Sequence, residues 1–170
     1  EDLKNNVYSV NIIQTSSPVE NSGSVFVCNS SFNCFFVNAR SLGNYLKMDE
    51  LRSYVLSNNL HIIGIVETWL HDGISDSEVS IPGFTIYRKD RSIVKTGKGG
   101  GVILYVHNSL SSTDAKDLNS FKTESVWCRI YIDKVKSFLV GCCYRSQQAP
   151  DDEVNNLFSV IRLASKQQVM

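Results

Sequence analysis

Residues 32–69 read FNCFFVNARSLGNYLKMDELRSYVLSNNLHIIGIVETW, and this stretch limits the possible folds more than any other. Two short apolar runs each end on a polar residue. Cys34-Phe35-Phe36-Val37 ends on Asn38, and Ile62-Ile63-Gly64-Ile65-Val66 ends on Glu67. Between them, Met48, Leu51 and Val55 fall at helical spacing. Short apolar runs fit buried strands, and the spaced segment fits a crossover helix. Strand–helix–strand predicts parallel neighbours, which deliver Asn38 and Glu67 side by side at one sheet edge. Open α/β sheets bind ligands outside the carboxyl ends of their strands. An amide and a carboxylate there suit a hard cation and a phosphate oxygen. Taken singly, a strand-end acid and a turn asparagine are ordinary solvated residues; the repeated pattern gives the pair its weight.

The chain has 170 residues, enough for one domain with a real core. A net charge of +0 excludes a strongly basic nucleic-acid clamp but leaves room for a local basic patch. No apolar run approaches the length of a membrane span. The opening EDLKNN is neither a signal peptide nor a methionine start, which predicts a fragment of a longer product. The five cysteines, Cys28, Cys34, Cys128, Cys142 and Cys143, include no Cys-x-x-Cys pair. They are expected to be reduced thiols in or near the core of a nuclear or cytoplasmic protein. His61, His71 and His107 lack zinc-ligand spacing.

Residues 1–24 are expected to form a loose leader, with a short strand at Val7–Ile13, and residues 25–170 one partial domain. Strands are predicted at Ser24–Cys28, Phe32–Val37, His61–Val66, Phe84–Tyr87, Val102–Val106, Val126–Ile132 and Lys136–Tyr144. Helices are predicted near Lys47–Ser57 and after Pro150-Asp151-Asp152. In the second helix Val154, Leu157, Phe158, Ile161 and Ala164 are expected on one face. Residues 71–83, 88–101 and 107–123 read as loops. Gln168-Val169-Met170 looks like the opening of another strand. Strands first, with few helices, favours a sandwich of two sheets carrying helices on its outer faces, antiparallel after residue 84.

TGKGGG at 96–101 has the wrong order for a nucleotide P-loop; its glycines suit close backbone approach. Arg88, Lys89, Arg91, Lys95 and Lys98 form a basic run that suits nucleic-acid phosphates, or is simply solvated. Asp90 between the arginines can orient a guanidinium. Tyr144-Arg145 ends a third apolar strand, and a phenol there can donate to developing phosphate charge, or be an ordinary edge tyrosine. Trp69 and Trp127 read as packing residues, with Trp69 close enough to Glu67 to line a site. No serine–histidine or cysteine–histidine arrangement supports covalent catalysis.

VNARSL (37–42), IVETWL (65–70), GFTIYRKDR (83–91), GKGGGVILYV (97–106), ESVWCRI (124–130) and CCYRS (142–146) follow one another in order. Together they resemble the endonuclease domain of non-LTR (LINE-type) retrotransposons. That domain sits in the endonuclease/exonuclease/phosphatase superfamily with the apurinic/apyrimidinic endonucleases and DNase I. The resemblance covers about residues 32–170 and implies an α/β (α+β) fold, the four-layered α/β/β/α sandwich of the DNase I-like type, truncated at its C-terminal side. It implies metal-dependent phosphodiester hydrolysis with Mg2+ (or Mn2+), on DNA, by a monomer with no organic cofactor and no membrane attachment. Glu67 matches the family's metal-binding glutamate. Asn38 matches the asparagine that contacts metal or phosphate, and Tyr144 the active-site tyrosine, with Ser146 where the family has proline. Arg88, Asp90 and Arg91 match the Arg-x-Asp-Arg element of the retrotransposon branch. Arg40, Arg88, Arg91, Lys98 and Arg145 are the expected nucleic-acid contacts. The family's Gly-Asp-Phe-Asn and Ser-Asp-His motifs have no counterpart here, so the fragment is expected to be catalytically weak or inactive. Two other readings stay open: a non-catalytic nucleic-acid-binding remnant, and a phosphatase of the same superfamily.

Overall fold

The computed structural model describes residues 7–12, 30–91, 99–134 and 136–167. The expected strand at Ser24–Cys28, the strand opening at Gln168–Met170, and Lys95 and Lys98 lie outside the described residues. Eleven elements run in order: β1 Val7–Ile12, β2 Ser30–Asn38, α1 Tyr45–Asn58, β3 Ile62–Val66, β4 Phe84–Lys89, β5 Val102–His107, β6 Ser111–Asp114, α2 Lys116–Asn119, β7 Ser125–Tyr131, β8 Ser137–Cys143 and α3 Asp151–Lys166.

The strands make a five-stranded sheet, ordered β1-β2-β3-β5-β4, and a three-stranded sheet, ordered β6-β7-β8. The β2–α1–β3 unit is parallel, with Asn38 opposite Val66. Every other pairing is antiparallel. Alternation along the strands then assigns each residue to a layer, because successive side chains point to opposite faces. Phe35, Ile63, Ile65, Ile103 and Tyr105 point outward and pack under Met48, Leu51 and Val55 of α1. Their neighbours Cys34, Ile62, Val102, Leu104 and Val106 point inward and meet Val126, Cys128, Ile130 and Cys142 of the smaller sheet. The far face of that sheet, with Trp127 and Leu139, is covered by Leu118 of α2 and Val160 and Ala164 of α3. The result is four layers, helix–sheet–sheet–helix. Truncating a fully buried residue such as Leu51 to alanine costs about 2–5 kcal/mol.

Local signals place the helices. The Asn44 side chain caps α1 by accepting from the Leu46 amide at 2.9 Å, and Asn59 ends it in the left-handed region. Asp151, Asp152 and Glu153 in the first turn and Lys166 in the last complement the dipole of α3. The buried face of α3 is Leu157, Val160 and Ala164, whereas Phe158 is 54% exposed and Ile161 37%. This corrects the expected face: its stripe was centred too far round the helix, and the i, i+3, i+7 set faces Trp127. Residues 107–123, expected as one polar loop, hold β6 and α2. Both are short and mostly exposed, so their sequences carry no apolar period. Cys128 and Cys142 are buried thiols, pushed up to about 12 by burial.

Candidate functional site

Strand register brings the chemistry-bearing residues to one end of the sandwich. Asn38 closes β2 and Glu67 follows β3. The partner of Val66 across the ladder is Val102, so the triple glycine 99–101 enters β5 beside Glu67. Ser125 pairs with Cys143, so Glu124 and Tyr144 lie at the same end of the other sheet. His61 and His107 stand at the opposite end, with ring centroids 6.5 Å apart.

The segments after β2 and β3 are laced together. The amides of Ala39, Ser41 and Leu42 donate to the carbonyls of Val66, Glu67 and Thr68 at 3.0, 2.8 and 2.8 Å. Lys47 Nζ holds the carbonyl of Ala39 at 2.8 Å. Four residues in these two turns, Arg40, Ser41, Glu67 and Trp69, have positive φ without being glycine. Each such residue costs on the order of 1–3 kcal/mol and persists only where its surroundings over-determine it, a mark of functional sites.

The triple glycine makes a close approach possible, but to protein rather than to a ligand. Thr68 N donates to Gly101 O at 3.2 Å and Trp69 N to Gly100 O at 2.9 Å. All three glycines have positive φ, and a Cβ on Gly101 would stand 2.6 Å from Thr68 Oγ1. The glycines therefore press the β5 entry onto the Glu67-Thr68-Trp69 turn.

Asn38, Glu67 and Tyr144 converge. The Tyr144 hydroxyl donates to Glu67 Oε1, joining the two sheets. That bond is the main influence holding the Glu67 carboxyl below its ordinary value. Burial opposes it, and the Asn38 amide, the Arg40 charge and the Trp69 indole assist. The same bond, with burial, pushes the Tyr144 phenol up to about 12. At neutral pH the pair is thus an anionic carboxylate beside a protonated phenol. Trp69, read from sequence as packing with a possible lining role, is 38% exposed at the rim of this cluster.

The arginines divide. Arg88 spends its guanidinium on protein: Nη2 and Nε bind Asp90 at 2.6 and 3.2 Å, and Nη1 binds Asp76 at 3.0 Å. Its Nη2 also reaches the His71 carbonyl at 3.2 Å. Arg91 Nε donates to Glu124 Oε1. Arg40 and Arg145 are exposed, and Arg40 acts electrostatically on Glu67. Lys89 is tied to the carbonyls of Asn119, at 3.0 Å, and Phe121. Glu124, inside the quoted ESVWCRI stretch, was given no role from sequence. Its signal was available: it is an acid immediately preceding a core strand, as Asn38 and Glu67 immediately follow theirs.

Glu67 and Asn38 are hard oxygen donors, the type Mg2+ prefers, and Mg2+ sites often use one or two carboxylates with substrate phosphate and water completing the shell. An ionised Glu67 and an adjacent amide fit that habit. Among the described residues no group of three His, Cys, Asp or Glu side chains converges as a full protein cage. No helix among them is long and apolar enough to cross a membrane.

A family model described as Endonuclease/Exonuclease/phosphatase family matches residues 30–168. No curated protein matches the chain. Among solved structures, the endonuclease domain of TRAS1, a telomere-specific non-LTR retrotransposon, is similar at 12% identity and a TM-score of 0.54. It covers 79% of this chain and 54% of that one. The AP endonuclease LMAP from Leishmania major is similar at 12% identity and a TM-score of 0.54, covering 80% of this chain and 47% of that one. The chain therefore spans about half the length of these structures and shares their DNase I-like fold.

Proposed function

The chain belongs to the endonuclease/exonuclease/phosphatase family, and from that premise we propose that Asn38, Glu67 and Tyr144 form the metal- and phosphate-holding part of a centre that hydrolyses phosphodiesters in DNA. One observation carries the reading: three strands from two sheets deliver these side chains to one point, with Tyr144 bonded to an ionised Glu67. The retrotransposon branch is favoured by the Arg88-Lys89-Asp90-Arg91 element and the triple glycine.

Glu67 and Asn38 would hold a divalent cation, Mg2+ or Mn2+, which when bound polarises a phosphoryl oxygen and steadies the leaving oxygen. Tyr144 stays protonated far above neutral pH and so remains a donor to a phosphate oxygen. Arg40 and Arg145 lie near enough to the cluster's ends to steer the strand, and Arg91 is held beside Tyr144 by Glu124. The water-activating base is assigned to none of the described residues. A binding-only role is the second reading, favoured by the lack, among the described residues, of three His, Cys, Asp or Glu side chains grouped to hold a metal.

The test is magnesium-dependent nicking of supercoiled plasmid by protein carrying this chain, with Glu67→Ala beside it. Nicking that needs the metal and disappears in the variant supports the reading. Equal nicking by both proteins sinks it, and salt-sensitive DNA binding without nicking selects the binding-only role.

A further inference from the structure

Trp69 stands at the rim of the Asn38–Glu67–Tyr144 cluster with 38% of its surface exposed. It is held in a left-handed conformation, φ 55°, which a bulky residue adopts only at a cost. Its neighbours explain how it is held there. The Trp69 amide donates to the Gly100 carbonyl at 2.9 Å, and Thr68 and Leu70 on either side are buried. The turn is thus anchored before and after Trp69, and the indole is the part left towards solvent.

The indole has one polar atom, Nε1, and that atom faces protein. It donates to the Glu67 carboxylate, and it lies 3.5 Å from where a Cβ on Gly99 would stand. One nitrogen so placed cannot account for the exposed area, so the surface on offer is ring carbon. The charges around it are Glu67 itself, Arg40 acting on Glu67, and Arg91. The Arg91 Nη1 is 3.7 Å from the same Gly99 position, and its Nε is taken by Glu124. An anionic carboxylate beside the ring repels a phosphate but not a neutral flat partner. Such a ring suits the face of a base. In a continuous duplex each base face is covered by the next pair, whereas an unpaired nucleotide presents one.

We propose that Trp69 is the stacking platform for an unpaired nucleotide beside the Glu67–Tyr144 centre, so that the chain prefers single-stranded or locally unpaired DNA to continuous duplex. The inference rests on the nucleic-acid reading above and adds a substrate class to it. The triple glycine then serves the platform, since a Cβ on Gly101 would stand 2.6 Å from Thr68 Oγ1 and displace the turn that presents the ring.

The experiment combines tryptophan fluorescence with anisotropy at one fixed salt concentration, with calcium in place of magnesium. The probes are a short thymidine strand, the same strand paired with its complement, and a strand of equal length whose sugars carry no bases. Trp127, the other tryptophan, is buried, so subtracting the emission of Trp69→Phe isolates Trp69. The thymidine strand should quench Trp69 strongly, whereas the duplex and the base-free strand should bind through their phosphates with little quenching. Trp69→Ala should weaken the single strand by about tenfold and the duplex by less than about twofold. Trp69→Phe, which keeps a ring, should recover most of the single-strand affinity. Equal quenching by the duplex or by the base-free strand overturns the proposal. So does a Trp69→Ala protein that loses strand and duplex alike, the mark of a groove wedge or a general contact. The quenching series on the unaltered protein stands even where Trp69→Ala does not fold. Binding to none of the three overturns the nucleic-acid reading itself, and the platform falls with it.

Discussion

Tyr144, just past the end of β8, donates its phenolic hydrogen to Glu67, just past the end of β3, so the two sheets are tied together at the candidate site. The bond lowers the Glu67 carboxyl and raises the Tyr144 phenol, and it can be tested from either side.

From the carboxylate side, Tyr144→Phe removes the largest influence that depresses Glu67. The Glu67 carboxyl should rise towards its ordinary value. A group depressed on folding contributes stability that is full above its unfolded value and is lost as pH falls through its folded value. Acid unfolding of the unaltered protein should therefore show a pH-dependent loss of stability, as pH falls through the depressed Glu67 carboxyl, that is smaller in Tyr144→Phe, where Asn38, Arg40 and Trp69 still act on it. Carbon-detected NMR titration of the Glu67 carboxyl checks this, and an unmoved midpoint in the variant counts against it.

From the phenol side, Tyr144 ionises at about 12 because Glu67 holds its proton. Glu67→Gln should bring it down towards about 10. A raised phenol contributes stability that is full below its unfolded value, about 10, and disappears as pH rises through the folded one. Ultraviolet titration of tyrosinate in the two proteins reads the shift as a difference, which cancels the deeply buried Tyr105. Superimposable curves would contradict the assignment.

Gly100 has a positive φ, and a Cβ there would press on the Arg91 guanidinium and stand 2.7 Å from Glu124 Oε1. Gly100→Ala should cost about 1–3 kcal/mol. Gly43 has only ordinary contacts at 3.8 Å, so Gly43→Ala should be near neutral. Urea midpoints of the two variants give the comparison.

Arg88 fastens the 71–76 turn and Asp90 rather than pointing its donors at solvent. Arg88→Ala should destabilise by about 2 kcal/mol and raise amide exchange across residues 71–80. Arg88→Lys should not restore either, because a lysine cannot make the forked contact. The salt dependence of DNA binding should change with Arg145→Ala and hold steady with Arg88→Ala.

Much of this was legible in the sequence because period and punctuation carry the fold. The apolar runs ending on Asn38, Glu67 and Tyr144 marked strands and their ends; parallel register of β2 and β3 set Asn38 beside the Glu67 turn, while packing of the two sheets brought up Tyr144. Arg88 was ambiguous, because a basic residue at a strand end reads the same whether it meets phosphate or Asp76 and Asp90. The triple glycine announced a close approach but not its object, which is the Thr68–Trp69 backbone. The β6–α2 stretch is exposed and short, so no hydrophobic period marks it. Glu124 carried a signal, an acid immediately preceding a core strand, but its partner Arg91 lies thirty-three positions away and only the structure brings the two together.

The most direct test of the central claim is a manganese(II) titration followed by NMR of the folded chain. Paramagnetic broadening should centre on Asn38 and Glu67, be relieved by excess magnesium, and vanish in Glu67→Gln. Broadening that centres elsewhere, or that survives Glu67→Gln, would contradict the assignment of this strand-end cluster as the metal site.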